Sequence, residues 1–150
     1  MLRDDINSAL KEAMKSGQAR RVSTLRLINA AILARETSGA ERHSLSEAEI
    51  VDVMQKMVKQ RHESLDIYRK AGRNDLADQE REEIEIISAY LPKQMSDLDA
   101  ASAISALIKE IEAETLKDMG RTMAALKQRF AGRMDFGKAG AQVKKLLGGS

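Results

Sequence analysis

One proline, Pro92, stands in 150 residues, and its position limits the fold more than any other single residue. Proline donates no amide hydrogen and pushes the residue before it out of helical geometry, so a helix arriving through Tyr90-Leu91 must stop there. On both sides the chain is built of Ala, Leu, Ile, Met, Lys, Arg, Glu and Gln, and aromatic residues are only 3%, which favours helix and leaves little for a sheet. No stretch alternates β-branched and polar residues between turn signals, as a strand requires. The expectation is an all-α chain of two helical bundles: a larger four-helix unit over 1–92 and a small three-helix unit over 96–150, joined by a short connector. The length suits two small units or one ordinary domain, with a core that needs no staples.

Apolar spacing and caps place the helices. Leu2, Ile6, Ala9, Leu10, Ala13 and Met14 share a face of a first helix over 2–16, with Gly17 beyond its end. Val22, Leu25, Ile28, Ala31 and Ile32 make the stripe of a second, over 19–37, which stops at Ser38-Gly39. Leu45-Ser46-Glu47-Ala48-Glu49-Ile50 opens a third: Ser46 caps, Glu49 reaches back, and Leu45 staples against Ile50. That helix continues to Ala71, where Gly72 supplies a left-handed residue. A fourth follows Asn74, with Leu76, Ala77, Ile84, Ile87 and Leu91 inward. Beyond the proline, Ser96 is the N-cap of a fifth helix whose stripe is Leu98, Ala101, Ile104, Leu107, Ile108 and Ile111. Asp118 is read as opening a sixth and Asp135 a short seventh, before a frayed Gly148-Gly149-Ser150.

The chain has no cysteine, which removes disulfides, thiolate metal sites and thiol nucleophiles together and is read as a sign of the cytoplasm. Charged residues are 32%, hydrophobic ones 43%, and mean hydropathy is −0.41. No apolar run spans a bilayer, so no membrane association is expected. Met1-Leu2-Arg3-Asp4-Asp5 turns acidic at once and fits neither a secretory signal nor an acid-poor transit peptide. A cytoplasmic protein is the resulting expectation.

Net charge is only +2, but the distribution is uneven. From Thr115 to Ser150 the basic residues Lys117, Arg121, Lys127, Arg129, Arg133, Lys138, Lys144 and Lys145 face two acids, Asp118 and Asp135, a local excess of +6. From Asp75 to Glu85 six acids face Arg81 alone, an excess of −5. A cationic helical face suits a phosphate backbone, where neutralised charges release counterions. The same density also occurs on ordinary solvated helices, and by composition alone that reading is the commoner one. Stacking on single strands is disfavoured, because Phe130 sits in the apolar register and Phe136 is alone.

Motifs for chemistry are sparse. Gly132-Arg133-Met134-Asp135-Phe136-Gly137-Lys138-Ala139 has P-loop spacing, but Ala139 replaces the Mg²⁺-binding hydroxyl and no strand precedes it, so it reads as a turn between helices. His43 and His62 have no metal-ligand spacing. Of Glu80, Glu82, Glu83 and Glu85, the adjacent Glu82 and Glu83 point in different helical directions, and the dense acids are read as facing solvent. No activated nucleophile can be assembled. No catalytic residue, metal ligand or cofactor is therefore assigned. Arg61, in line with Met57 and Leu65, is expected to pair with a buried or half-buried acid, and Arg26 is read the same way.

Arg21-Val22-Ser23-Thr24-Leu25-Arg26-Leu27-Ile28, Lys59-Gln60-Arg61-His62-Glu63-Ser64, Tyr68, Ala71-Gly72-Arg73, Asp75-Leu76-Ala77, Glu80 and Tyr90-Leu91-Pro92 together resemble the YqeY family of small bacterial proteins. The second part, with Met119-Gly120-Arg121, Met123, Gly132 and Val143-Lys144-Lys145-Leu146-Leu147, is similar to the tail domain of the GatB subunit of the tRNA-dependent amidotransferase. The resemblance covers essentially the whole chain and implies an N-terminal and a smaller C-terminal helical unit. It also implies tRNA as a partner, since the GatB tail helps hold tRNA while other parts of that enzyme use glutamine as amide donor. Nothing here corresponds to the kinase-like domain of GatB or the Ser-Ser-Lys site of the amidase subunit. Carbon–nitrogen ligase activity is implied only by association. The expectation is a tRNA- or RNA-binding accessory protein that draws phosphate contacts from the eight C-terminal basic residues. Two alternatives stand beside it: a subunit or effector of an amidotransferase, and a protein-interaction module binding through faces such as Met54 and Met57.

Overall fold

The computed structural model describes residues 1–148. Among them are seven α-helices, one 3-10 turn and no strand: α1 (Leu2–Ser16), α2 (Ala19–Glu36), α3 (Glu47–Lys70), α4 (Asn74–Ser88), α5 (Asp97–Glu110), the 3-10 turn Leu116–Asp118, α6 (Met119–Arg129) and α7 (Phe136–Leu147). The chain is all-α. It separates into two compact units, Met1–Leu91 and Pro92–Ser150, each with its own apolar core.

In the first unit, Ile6 and Ala13 of α1, Leu25, Ile28 and Ile32 of α2, Ile50, Val53, Met54 and Met57 of α3 and Ile87 of α4 are buried together. The capping box at Ser46 is present: its hydroxyl accepts from the Glu49 amide while the Glu49 carboxylate accepts from the Ser46 amide. α1 and α3 both end on a left-handed glycine, Gly17 at φ 70° and Gly72 at φ 72°, a conformation that is strained for a residue with a side chain. Buried Glu36 joins three segments, accepting from the Arg3 guanidinium and, at 2.9 Å, from the Leu45 amide. Those two donors hold its carboxyl below the usual range despite its burial. Arg61 donates from Nε to Glu83 at 3.0 Å and from Nη1 to the Met57 carbonyl at 3.1 Å.

Several sequence expectations are corrected here. Glu83 does not face solvent: it is 7% exposed, turned toward α3, where Arg61 donates to it, while Gln79, one turn earlier on α4, donates to its other oxygen. Glu80 is half-buried, and desolvation, with Glu83 nearby, raises its pKa. Arg26 is exposed and pairs with no acid among the described residues, its direction on α2 being away from the core. Met14 is also exposed, at the end of α1 where no helix covers it. α4 stops at Ser88, and the chain reaches Leu91 through a turn in which Tyr90 and Leu91 donate to the carbonyls of Ile87 and Ser88.

In the second unit Ile104, Leu107, Leu126, Met134, Ala139, Val143 and Leu147 form the core. Ser96 caps α5 by accepting from the Asp99 amide. Leu98 does not join the stripe: it lies on the first turn, 77% exposed. The Pro92–Met95 segment belongs to this unit, since the Met95 amide donates to the Arg133 carbonyl at 2.9 Å and Gln94 donates to the Gly132 carbonyl. Asp118 is not the side-chain cap of α6. It is the third residue of a box opened by Thr115, and its Oδ2 accepts from the amides of Glu114 (2.8 Å) and Thr115 (3.1 Å). Thr24 and Thr122, both fully buried, turn their hydroxyls back onto the carbonyls of Arg20 and Asp118, so neither leaves a polar atom unmatched. Gly148 donates to the Lys144 carbonyl, while Gly149 and Ser150, read from the sequence as frayed, lie outside the described residues.

Candidate nucleic-acid interface

The eight basic residues fall into two kinds. Three arginines are tied into the second unit. Arg121 donates from Nη1 and Nη2 to the carbonyls of Ile111 (2.7 Å) and Glu112 (3.3 Å), and from Nε to Asp118 (3.0 Å). It thereby closes the C-terminal end of α5, where Glu112 holds a left-handed φ of 55°. Arg129 makes a two-pronged bond to Glu110, which lowers the Glu110 pKa and raises that of Arg129. Arg133 donates from Nε to the Lys93 carbonyl at 3.2 Å. The five lysines, Lys117, Lys127, Lys138, Lys144 and Lys145, are exposed and make no ion pair among the described residues.

The tie between Arg129 and Glu110 also alters the electrostatic picture. Glu110, Glu112 and Glu114 lie just upstream of the basic segment and fold into the same unit, so ten basic residues meet seven acids over residues 92–150, an excess of +3. Arg133, bonded to a carbonyl, keeps its charge, and the rest of the positive field comes from lysines, three of the five on α7: Lys138 in its first turn, Lys144 and Lys145 in its last. Basic residues in a last turn also complement the negative end of the helix dipole.

Between α5 and α7 lies a groove of about 480 Å³. Ile104, Met134 and Ala139 give it apolar lining, and Arg133, Lys138 and Gln142 give it donors. It brings together only two of the eight basic residues, Arg133 and Lys138. Sequence reasoning missed its other walls because they come from residues 94–104 and 133–142, which only the packed unit juxtaposes. The legible signal was the turn at Gly132, left-handed at φ 77°, which swings Arg133 and Met134 back toward the Met95 segment.

The P-loop-like spacing makes no phosphate cradle. The amides of Gly137 and Lys138, which open α7, are taken by Asp135 Oδ1 at 2.9 and 3.2 Å. In the first unit, residues that carry the sequence resemblance are joined to protein partners: Arg21 to the Tyr90 hydroxyl at 2.8 Å, Arg61 to Glu83, and Arg73 to Asp75. Among the described residues no group of three or more His, Asp or Glu could hold a metal ion, and no helix is long and apolar enough to cross a membrane.

Curated relatives are 30–35% identical to this chain over the residues that align. A protein of Candida glabrata named altered inheritance of mitochondria protein 41, mitochondrial, is 31% identical over 127 residues, 85% of this chain and 67% of its own length. Proteins of the same name from Eremothecium gossypii (35% over 94 residues, 63% of this chain, 49% of theirs) and Lachancea thermotolerans (30% over 110 residues, 72% and 58%) are also similar. The chain thus spans between half and two thirds of these relatives. Their names overturn the cytoplasmic expectation: a cysteine-free composition excludes a disulfide framework but does not choose among compartments, and these relatives are named as mitochondrial. The family described as Yqey-like protein matches residues 3–147, and on that extent the chain belongs to the YqeY family.

Proposed function

We propose that this protein is an RNA-binding accessory protein, with tRNA as its partner and no catalytic site of its own, and that the second unit supplies the contacts. The observation that carries this reading is the set of exposed lysines that make no ion pair among the described residues, above all Lys138, Lys144 and Lys145 on the single helix α7. Ammonium groups that no carboxylate neutralises are the ones that can displace counterions from a phosphate backbone. In this reading the four-helix and three-helix bundles act as separate modules, and any link to amide transfer runs through the shared RNA rather than through chemistry in this chain.

The test is binding of purified protein to deacylated tRNA across a salt series, beside a variant with Lys127, Lys138, Lys144 and Lys145 changed to Glu. Arg121 and Arg129 are kept, because reversing them would break the α5 end and the Glu110 pair instead of testing RNA contact. The wild type should lose affinity steeply with salt, with a logarithmic slope of roughly −3 if about four phosphates are contacted. The variant should lose most of both affinity and slope while keeping its helical signal. Salt-insensitive binding, or binding unchanged in a folded variant, removes the reading.

A further inference from the structure

We propose that the outer face of α1 and α2, in the first unit, docks an acidic amphipathic helix of another protein. Helix α2 buries Leu25, Ile28 and Ile32 against the rest of its unit, yet its opposite side is not the polar surface that such a helix ordinarily turns to water. Leu27 and Leu33 are 44% and 49% exposed, and Ser23, Ala30 and Ala34 are exposed with them. Ser23, Leu27, Ala30 and Ala34 recur at i, i+4, i+7 and i+11, so they share one line of about 16 Å along the helix, flanked by Leu33 and Arg26. The face continues onto α1. The two-residue connection Gly17-Gln18 makes α1 and α2 antiparallel neighbours, and an exposed hydrogen bond of 3.1 Å from Asn29 Nδ2 to Asn7 Oδ1 joins them on the solvent side. One turn from that bond toward the connection stand Lys11 on α1 and Arg26 on α2, and the next turn of α1 adds Met14, 53% exposed, and Lys15.

The charge on this face has one sign. From Ala13 to Arg35 there are five basic residues and no acid. Arg20, Arg21 and Arg35 are engaged, with Glu82 at 3.2 Å, the Tyr90 hydroxyl at 2.8 Å and Asp52 at 2.7 Å. Lys11, Lys15 and Arg26 are exposed and make no ion pair among the described residues. The acids of α1 lie elsewhere: Asp4 and Asp5 in its first turn, and Glu12 five residues from Asn7, about 140° round the helix. Exposed leucines and a methionine framed by cations that no carboxylate neutralises are complementary to a surface that carries apolar side chains and carboxylates together, which an acidic helix does with anchors one turn apart. A second copy of this chain brings the same cations to an isologous contact. A phosphate backbone engages the cations and leaves the leucines wet. A lipid surface takes in protruding Trp and Phe along with leucines, whereas here alanines and a serine lie between them.

The experiment titrates the full chain with a fluorescent helical peptide of about 18 residues, with leucines at i, i+4, i+7 and i+11 and glutamates on either side of them. Beside it run a scrambled peptide of the same composition and one with lysine in place of each glutamate. The first is expected to bind, to weaken as salt rises, and to move the Met14 methyl resonance while those of buried Met54 and Met57 stay in place; the other two are expected not to bind. Lys11→Glu with Arg26→Glu, and separately Leu27→Ser with Leu33→Ser, should each weaken the peptide about tenfold. All four positions are exposed or at the surface of α1 and α2, so helical circular dichroism should be unchanged, and only the charge pair should lose the salt dependence. A peptide that does not bind, or binds equally well when scrambled, overturns the proposal. So does a self-association of the chain that the leucine pair abolishes, which gives the face to a second copy. A Met14 shift produced by vesicles of phosphatidylcholine and phosphatidylglycerol, or by deacylated tRNA, while the peptide leaves it in place gives the face to lipid or RNA and overturns the proposal as well.

Discussion

Asp118 accepts three hydrogen bonds, from two amides and the Arg121 guanidinium, and its titration should be visible in stability. The amides of Glu114 and Thr115, and then Arg121, hold its pKa down to about 2. A carboxyl whose folded value lies below its unfolded one contributes stability above the ordinary aspartate range and loses it as pH falls through the folded value. Unfolding of the wild type should therefore become easier between pH 4 and 2, and Asp118→Asn should flatten that limb in acid denaturation followed by circular dichroism. Close by, Glu112 occupies a left-handed position that glycine adopts freely. Glu112→Gly is expected to stabilise by roughly 1 kcal/mol, the release of that strain, measured as a shift in urea midpoint. In the first unit, Arg61→Met strands the Glu83 carboxylate in the core and should destabilise by about 2–3 kcal/mol, discounted from a fully buried pair because both side chains keep some exposure. Adding Glu83→Leu to it should restore most of that loss, which a double-mutant cycle in urea reads directly.

At the scale of the element, caps wrote their positions into the sequence. Ser46, Ser96 and Asp135 each accept from the amides expected of an N-cap, and Asp135→Ala should cost about 1 kcal/mol in thermal unfolding, mostly by fraying α7. Helix ends were legible where one residue type does one local job. They were less so where two residues share it: Asp118 looks like a cap in isolation, but the bond runs from Thr115, whose role depends on a 3-10 turn that no apolar period announces. Burial was legible in helix centres and failed at their ends. Met14 and Leu98 fit the period of their helices, yet each sits on a terminal turn that no neighbour covers. Glu83 failed in the opposite direction, since an acid among acids is buried only because Arg61 approaches from another helix. The eight basic residues were legible as a charge run. Their division into tied arginines and lysines that make no ion pair among the described residues was not, because Glu110, Ile111 and Glu112 become partners of Arg121 and Arg129 only in the folded unit.

For the whole molecule, the two cores share no residue. Fragments 1–91 and 92–150 should each give helical circular dichroism and a cooperative melt, the shorter one at lower temperature, since small units bury a lesser fraction of their surface. A fragment beginning at residue 96 should be weaker still, because it lacks the Met95 amide and Gln94 contacts to the Gly132-Arg133 turn. That pairing of the start of the unit with a turn 38 residues later also sets an order of events on the ribosome. The first unit has all of its sequence once Leu91 has emerged, whereas the second cannot close until Arg133 follows, some 2 to 8 s later at about 5–20 residues per second. During that interval Ile104 and Leu107 of α5 lack Ala139, Val143 and Leu147 of α7, with which they share a core. The nascent chain carries a finished bundle beside an exposed apolar helix, a window in which a ribosome-bound chaperone has something to hold.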